Sequence, residues 1–161
     1  MNMTVIVGVD SSEASKAALR LAAQEARWRQ ESVVAVSAYE LPLGPVGGFP
    51  GAALHTQGEE QATAEAELRA TVDHELGDDA GQAKVRVSTG LAGRVIIEAA
   101  REVHADLIVL AAHPGKSAVP GTVSQYVLLK ARCPVTIVPD EDPDEETSSD
   151  SARSASSPGA S

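Results

Sequence analysis

The chain has 161 residues, a formal net charge of −10 and 43% hydrophobic residues, but only 2% aromatics. It is long enough for one domain with a real core, and that core must be built from Val, Ile, Leu and Ala. The acidic balance excludes the basic footprint of a nucleic-acid binder or of a surface attracted to anionic membranes. A single cysteine, Cys133, excludes an internal disulfide and any multi-cysteine metal site.

The elements follow in chain order. Met3–Val9 is a near-continuous Val/Ile run and predicts a buried strand ending at Asp10. Ser11 and Ser12 offer an N-cap for a helix over Glu13–Arg29, with Ala14, Ala17, Ala18, Leu21 and Ala22 at helical spacing. Ser32–Tyr39 predicts a second strand. Leu41–Thr56 holds three Pro and four Gly and predicts a loop. Glu59–Leu76 alternates Glu and Ala, as suits an exposed helix with a narrow buried stripe. Ala83–Ser88 predicts a third strand, Gly90 to Gly93 a turn, and Arg94–Val103 a third helix with Val95, Ile96, Ala99 and Val103 inward. Asp106–Ala111 is the most apolar strand. A loop over Ala112–Pro120, a helix over Gly121–Ala131 and a strand over Pro134–Val138 complete the domain. Residues 140–161 carry seven acids and one Arg, almost nothing apolar, and predict a disordered acidic tail, either a regulatory segment or a solubilising extension.

Strands alternating with helices imply parallel pairing. Five strands in this order suit a doubly wound parallel sheet in the order 3-2-1-4-5, with helices on both faces. Ligands of such sheets bind beyond the carboxyl ends of the strands, where strand order reverses. Here the two loops that meet at that point begin at Asp10 and Ala111. The N-terminus shows no signal-peptide pattern, and no apolar run exceeds about six residues, so a cytoplasmic location is the expectation.

The stretch from Leu107 to Pro139 contains no Asp or Glu, yet holds His113, Lys116, Lys130 and Arg132. In an acidic protein it is the natural landing place for an anion. Gly121 and Thr122 open a helix, whose free N–H groups and dipole suit a phosphate, with the hydroxyls of Thr122 and Ser124 as further donors. Thr122 as a simple helix cap is the alternative. Asp10 reads either as a site residue or, with Glu13 three residues on, as a capping box. His113 reads as a solvated loop residue or a phosphate contact. His55, His74 and His104 are scattered, and no metal site is expected. Cys133 reads as a small core residue, and Trp28 and Tyr39 as packing anchors.

Four segments carry a family resemblance: Val7-Gly8-Val9-Asp10-Ser11-Ser12, Ala105-Asp106-Leu107-Ile108-Val109-Leu110, Gly121-Thr122-Val123-Ser124-Gln125-Tyr126-Val127 and Cys133-Pro134-Val135-Thr136-Ile137-Val138. In order and spacing, over about residues 3–139, the chain resembles a universal stress protein. The resemblance implies an adenine-nucleotide alpha-hydrolase-like α/β fold, a homodimer through the last strand, Val135–Val138, and a bound adenine nucleotide. ATP, with magnesium on its phosphates, is the implied ligand. Carried over, the nucleotide-binding residues are Asp10, with Ser11 beside it, the backbone at Ala38, and Gly121, Thr122, Val123 and Ser124. The family's pattern of Gly, two residues, Gly, nine residues, Gly and Ser/Thr is altered in its first half. Its first two glycines fall on Ala111 and Pro114, and six residues rather than nine separate Pro114 from Gly121. Ala111 adds a Cβ and Pro114 lacks an N–H. Gly115 offers flexibility one position later, and Lys116 a charge in place of the lost donors.

Three functions follow as expectations. The first is a nucleotide-binding stress regulator and no fast enzyme, limited to slow ATP hydrolysis or self-phosphorylation at Thr122 or Ser124. The second is a nucleotide-independent dimeric interaction module with a degenerate ATP loop. The third, an adenylating enzyme, needs a Gly-rich turn after the first strand, and Asp10-Ser11-Ser12-Glu13 has no glycine.

Overall fold

The computed structural model describes residues 3–39, 57–112 and 121–140. The elements are β1 (Thr4–Gly8), α1 (Glu13–Arg29), β2 (Ser32–Tyr39), α2 (Gln57–Leu76), β3 (Ala83–Thr89), α3 (Ala92–Glu102), β4 (Leu107–Ala111), α4 (Thr122–Lys130) and β5 (Val135–Val138). All four strand pairings are parallel, in the order β3-β2-β1-β4-β5. The doubly wound sheet expected from the sequence is therefore the fold. The Leu41–Thr56 loop and the acidic tail beyond Asp140 lie outside the described residues.

Alternation along the strands sorts the core into two layers, because successive side chains leave a strand on opposite faces. Val5, Val7, Val33, Ala35, Leu107 and Val109 face α1 and α2. Ile6, Val34, Val36, Ile108 and Leu110 face α3 and α4. Val5, Ile6 and Val7 are each fully buried at the centre. Each such side chain removed from water is worth about 1.5–3 kcal/mol. α1 contributes Leu19 and three alanines, Ala18, Ala22 and Ala26, whose small side chains let it lie close to the sheet. α2 buries Leu68 and Val72, with Ala64 and Leu76 packed beside them, a stripe repeating every four residues. α3 approaches α4 at Gly93, where an added Cβ would stand 2.9 Å from the Tyr126 ring.

Several local expectations are corrected. α3 begins at Ala92, two residues early, so Gly93 is helical and the turn shortens to Gly90, at φ 126°, and Leu91. A 3-10 stretch over Gly77–Gln82 joins α2 to β3. On α1 the buried residues include Ser15, Leu19 and Ala26, whereas Ala17 and Leu21 are only half-buried. Trp28 anchors nothing, since it is 69% exposed, next to last in the helix and off the buried stripe. Tyr39 does pack against the first layer.

α1 ends at Gln30 in the left-handed region (φ 58°, ψ 41°), where the following N–H of Glu31 returns to the carbonyl of Ala26 at 2.8 Å. A Cβ is unfavourable there and glycine is the default residue. Gln30→Gly is expected to raise the stability by about 0.5–1 kcal/mol, read as a higher denaturant midpoint with unchanged slope.

Candidate functional site

Strand β1 hands the chain to β2 on one side, and β4 hands it to β5 on the other. The carboxyl ends of β1 and β4 therefore open into a gap that no connection crosses. There a cavity of about 350 Å³ is lined by Gly8, Val9, Asp10 and Ser15, by Val36 and Ala38 of β2, by Ala92 and Ile96 of α3, by Leu110 and Ala111 of β4, and by Gly121, Thr122, Val123 and Ser124.

The β1–α1 turn is fixed by serines. Ser12 is the N-cap, and its Oγ accepts the N–H of Ser15 at 3.2 Å. Asp10 does not form the capping box. Its Oδ1 accepts the N–H of Ser12 at 2.7 Å instead. The Ser15 side chain is 2% exposed. Its hydroxyl is shared between the carbonyls of Asp10 and Ser12, each at 2.9 Å, and accepts the N–H of Asp10 at 3.2 Å. Both backbone polar groups of Asp10 are thus satisfied by one buried oxygen, and the carboxyl group stays at the exposed mouth of the cavity. One turn on, the Lys16 ammonium, 2.6 Å from Glu13, holds that carboxyl below the usual range.

The opposite wall is the start of α4. Its N-cap is Gly121 (φ −60°, ψ 168°), not Thr122, and no side chain caps the helix. The first turn holds no acid. Its leading N–H groups lack partners within the helix and point along the axis into the gap, with the positive end of the dipole behind them. Ser124 is 4% exposed, and its hydroxyl takes part in no hydrogen bond among the described residues. Between the walls, Val36, Ala38, Ile96 and Leu110 form an apolar slot. A Cβ on Gly8 would stand 2.9 Å from Leu110 Cδ2 and 3.0 Å from Ile96 Cδ1, so the absence of one lets both side chains close over the end of β1.

Of the residues singled out from the sequence, Asp10, Ala38, Ala111, Gly121, Thr122, Val123 and Ser124 meet around this cavity. Ser11 is exposed and does not line it. Gly115 and Lys116, with His113 and Pro114, lie outside the described residues. The sequence reading missed Gly8, Ser15 and the apolar slot. A lone glycine inside the run Val7-Gly8-Val9 was the available signal, since it marks a close approach. Among the described residues, no group of His, Cys, Asp or Glu is arranged to hold a metal ion, and no helix is long and apolar enough to cross a membrane.

The universal stress protein family matches residues 1–139. The chain belongs to that family. Solved universal stress proteins share its fold. One, solved in complex with cAMP, is 28% identical, with a TM-score of 0.64 and coverage of 87% of this chain and 98% of that one. UspA from Lactobacillus plantarum is 25% identical, with a TM-score of 0.62 and coverage of 84% and 97%. A universal stress protein from Archaeoglobus fulgidus in complex with dAMP is 26% identical, with a TM-score of 0.54 and coverage of 84% and 97%. No curated protein matches the chain.

The Ser15 hydroxyl is the keystone of the β1–α1 turn. Ser15→Ala leaves the Asp10 N–H and carbonyl without their buried partner and is expected to cost about 1–3 kcal/mol. The check is equilibrium denaturation. Ser15→Thr, which keeps the hydroxyl, is expected to recover part of the loss.

Proposed function

We propose that this universal stress protein binds an adenine nucleotide in the cavity between β1 and β4. The observation that carries the reading is the union of two chemistries at one switch point. An apolar slot of Val36, Ala38, Ile96 and Leu110 suits a flat base, and the uncapped start of α4 suits a phosphate. The Ala38 backbone at the end of β2 is placed to read the base edge, and Asp10 at the mouth to accept from ribose hydroxyls. Gly121, Thr122, Val123 and Ser124 receive the first phosphate. The complexes of related proteins with cAMP and dAMP support the same class of ligand. For ATP, Gly115 and Lys116, outside the described residues, are the proposed partners of the outer phosphates on the sequence pattern alone. Asp10 is the only carboxylate among the described lining residues, so a magnesium ion would travel on the phosphates rather than in a protein cage.

The cavity is built for binding rather than fast turnover. No histidine stands among its described lining residues, and Asp10 already accepts from Ser12. Homodimer formation through β5 belongs to the same reading. β5 is an edge strand, half-buried along its length, and α4 beside it exposes Leu128 (48%) and Leu129 (82%).

The test begins by denaturing the purified protein and assaying the supernatant for adenine nucleotide, then titrating AMP, cAMP and ATP by calorimetry. Saturable binding of at least one is expected. Gly121→Asp is the informative variant. Its carboxylate caps α4, so stability holds or rises, while its charge stands where the phosphate would sit. Affinity is expected to fall at least about tenfold, or about 1.4 kcal/mol. A clean negative with all three ligands at millimolar concentration sinks the reading and leaves a nucleotide-independent dimeric module. Unchanged binding by Gly121→Asp places the ligand elsewhere. Sedimentation should give twice the chain mass of 16.6 kDa.

A further inference from the structure

The acid-free stretch has a second half that the nucleotide cavity does not use. Lys130 and Arg132 lie at the other end of the sheet, where β4 and β5 begin. There, between the carboxyl ends of α3 and α4, is a separate cavity of about 330 Å³. Its floor is apolar: Ile97, Ala100 and Ile108 lie buried beneath it, and half-buried Ala105, Ala131 and Cys133 give it its accessible surface. Its rim carries Arg101, His104, Lys130 and Arg132, and no Asp or Glu lines it. Arg101, Lys130 and Arg132 enter no ion pair among the described residues, whereas Lys16, Arg20, Arg27, Arg29, Arg69 and Arg86 each hold a carboxylate. The acids near in sequence are engaged elsewhere. Glu102 accepts from Arg86 at 2.6 Å, and Asp106 accepts from the N–H of Thr4 at 3.1 Å.

Helix dipoles explain part of this cluster. Arg101 and Lys130 occupy last turns, where a cation offsets the carbonyl end. They do not explain Arg132, which lies beyond α4, nor the apolar floor. His104, at φ 51° on the rim, ends α3 as Gln30 ends α1, with the Ala105 N–H returning to the Ala100 carbonyl at 2.8 Å. In a chain of net charge −10, a cavity that gathers Arg101, Lys130 and Arg132 with no acid in its lining is a local reversal of charge.

We propose that this cavity binds a small amphipathic carboxylate, its head held by the cationic rim and its short apolar body laid on the half-buried Ala105, Ala131 and Cys133. Guanidinium groups pair with a carboxylate in two parallel hydrogen bonds, so Arg101 and Arg132 are the principal head-group contacts. At about 330 Å³ the cavity is at the small end of ligand pockets, which suits a short carboxylate. Burial pushes the Cys133 thiol pKa up, and the charge of Asp106 acts in the same direction; that carboxylate, behind the Cys133 wall and accepting from Thr4, is the acid the cationic rim outweighs. The site is independent of the nucleotide reading and uses none of its residues.

The experiment uses the full chain and octanoate as the probe, followed by calorimetry and by amide chemical shifts, with octanol and octylamine as controls. Octanoate is expected to saturate at millimolar concentration or below, and both controls to bind at least about tenfold more weakly. The double variant Arg101→Gln/Arg132→Gln, whose side chains are exposed, should keep its thermal midpoint and lose octanoate affinity about tenfold or more. Cys133 is the only cysteine, so maleimide labelling reports occupancy directly, and octanoate should slow it in the wild type but not in the double variant. The proposal is overturned if octanoate fails to saturate, if octanol binds equally well, or if the folded double variant binds octanoate like the wild type.

Discussion

Everything in this molecule depends on a parallel sheet whose two faces are both covered. β1 lies at its centre, hydrogen-bonded to β2 on one side and β4 on the other, with Val5, Ile6 and Val7 wholly out of water. A strand in that position can carry no functional side chain along its length, because a buried polar group without partners costs several kcal/mol. With almost no aromatics to fill space, the layers close only because alanines on α1 and α3 let the helices come near. Chemistry is thereby displaced to the two ends of the sheet.

Those ends differ in electrostatic character. At the carboxyl end, α1 and α4 present their N-termini, and backbone N–H groups supply positive potential without any cationic side chain among the described lining residues. At the amino end, α3 and α4 present carbonyls, and any positive potential must come from side chains such as Arg101, Lys130 and Arg132. The same strand–helix unit thus makes two kinds of anion-favouring surface, one from backbone and one from side chains.

Surface ion pairs play a smaller part. Arg20–Glu75 and Arg27–Asp79 link α1 to α2 and to the 3-10 stretch after it, and Arg86–Glu102 links β3 to α3. All involve exposed partners, so each is worth little against the apolar layers. They orient the covering helices more than they stabilise them. Arg69 does more locally, since its guanidinium donates to the carbonyls of Ala80 and Ala83 and fixes the approach to β3.

The sequence by itself determined the class of fold, the strand order and the two loops that meet at the switch point. Period-two and period-four patterns of Val, Ile, Leu and Ala lie within each element's own sequence, so the face an element will bury can be read without its neighbours. The stripe on α2 and the glycine at the start of α4 were legible for that reason. Tertiary structure alone decided what depends on contacts between elements. Ser15 reads as one more helical serine until its hydroxyl is seen bridging Asp10 and Ser12. Trp28 reads as an anchor until the helix rotation leaves it in water. Lys130 and Arg132 look like part of one anion-binding stretch with Gly121. Only the length of α4, which carries them to the far end of the sheet, separates the two cavities and brings Arg101 beside them.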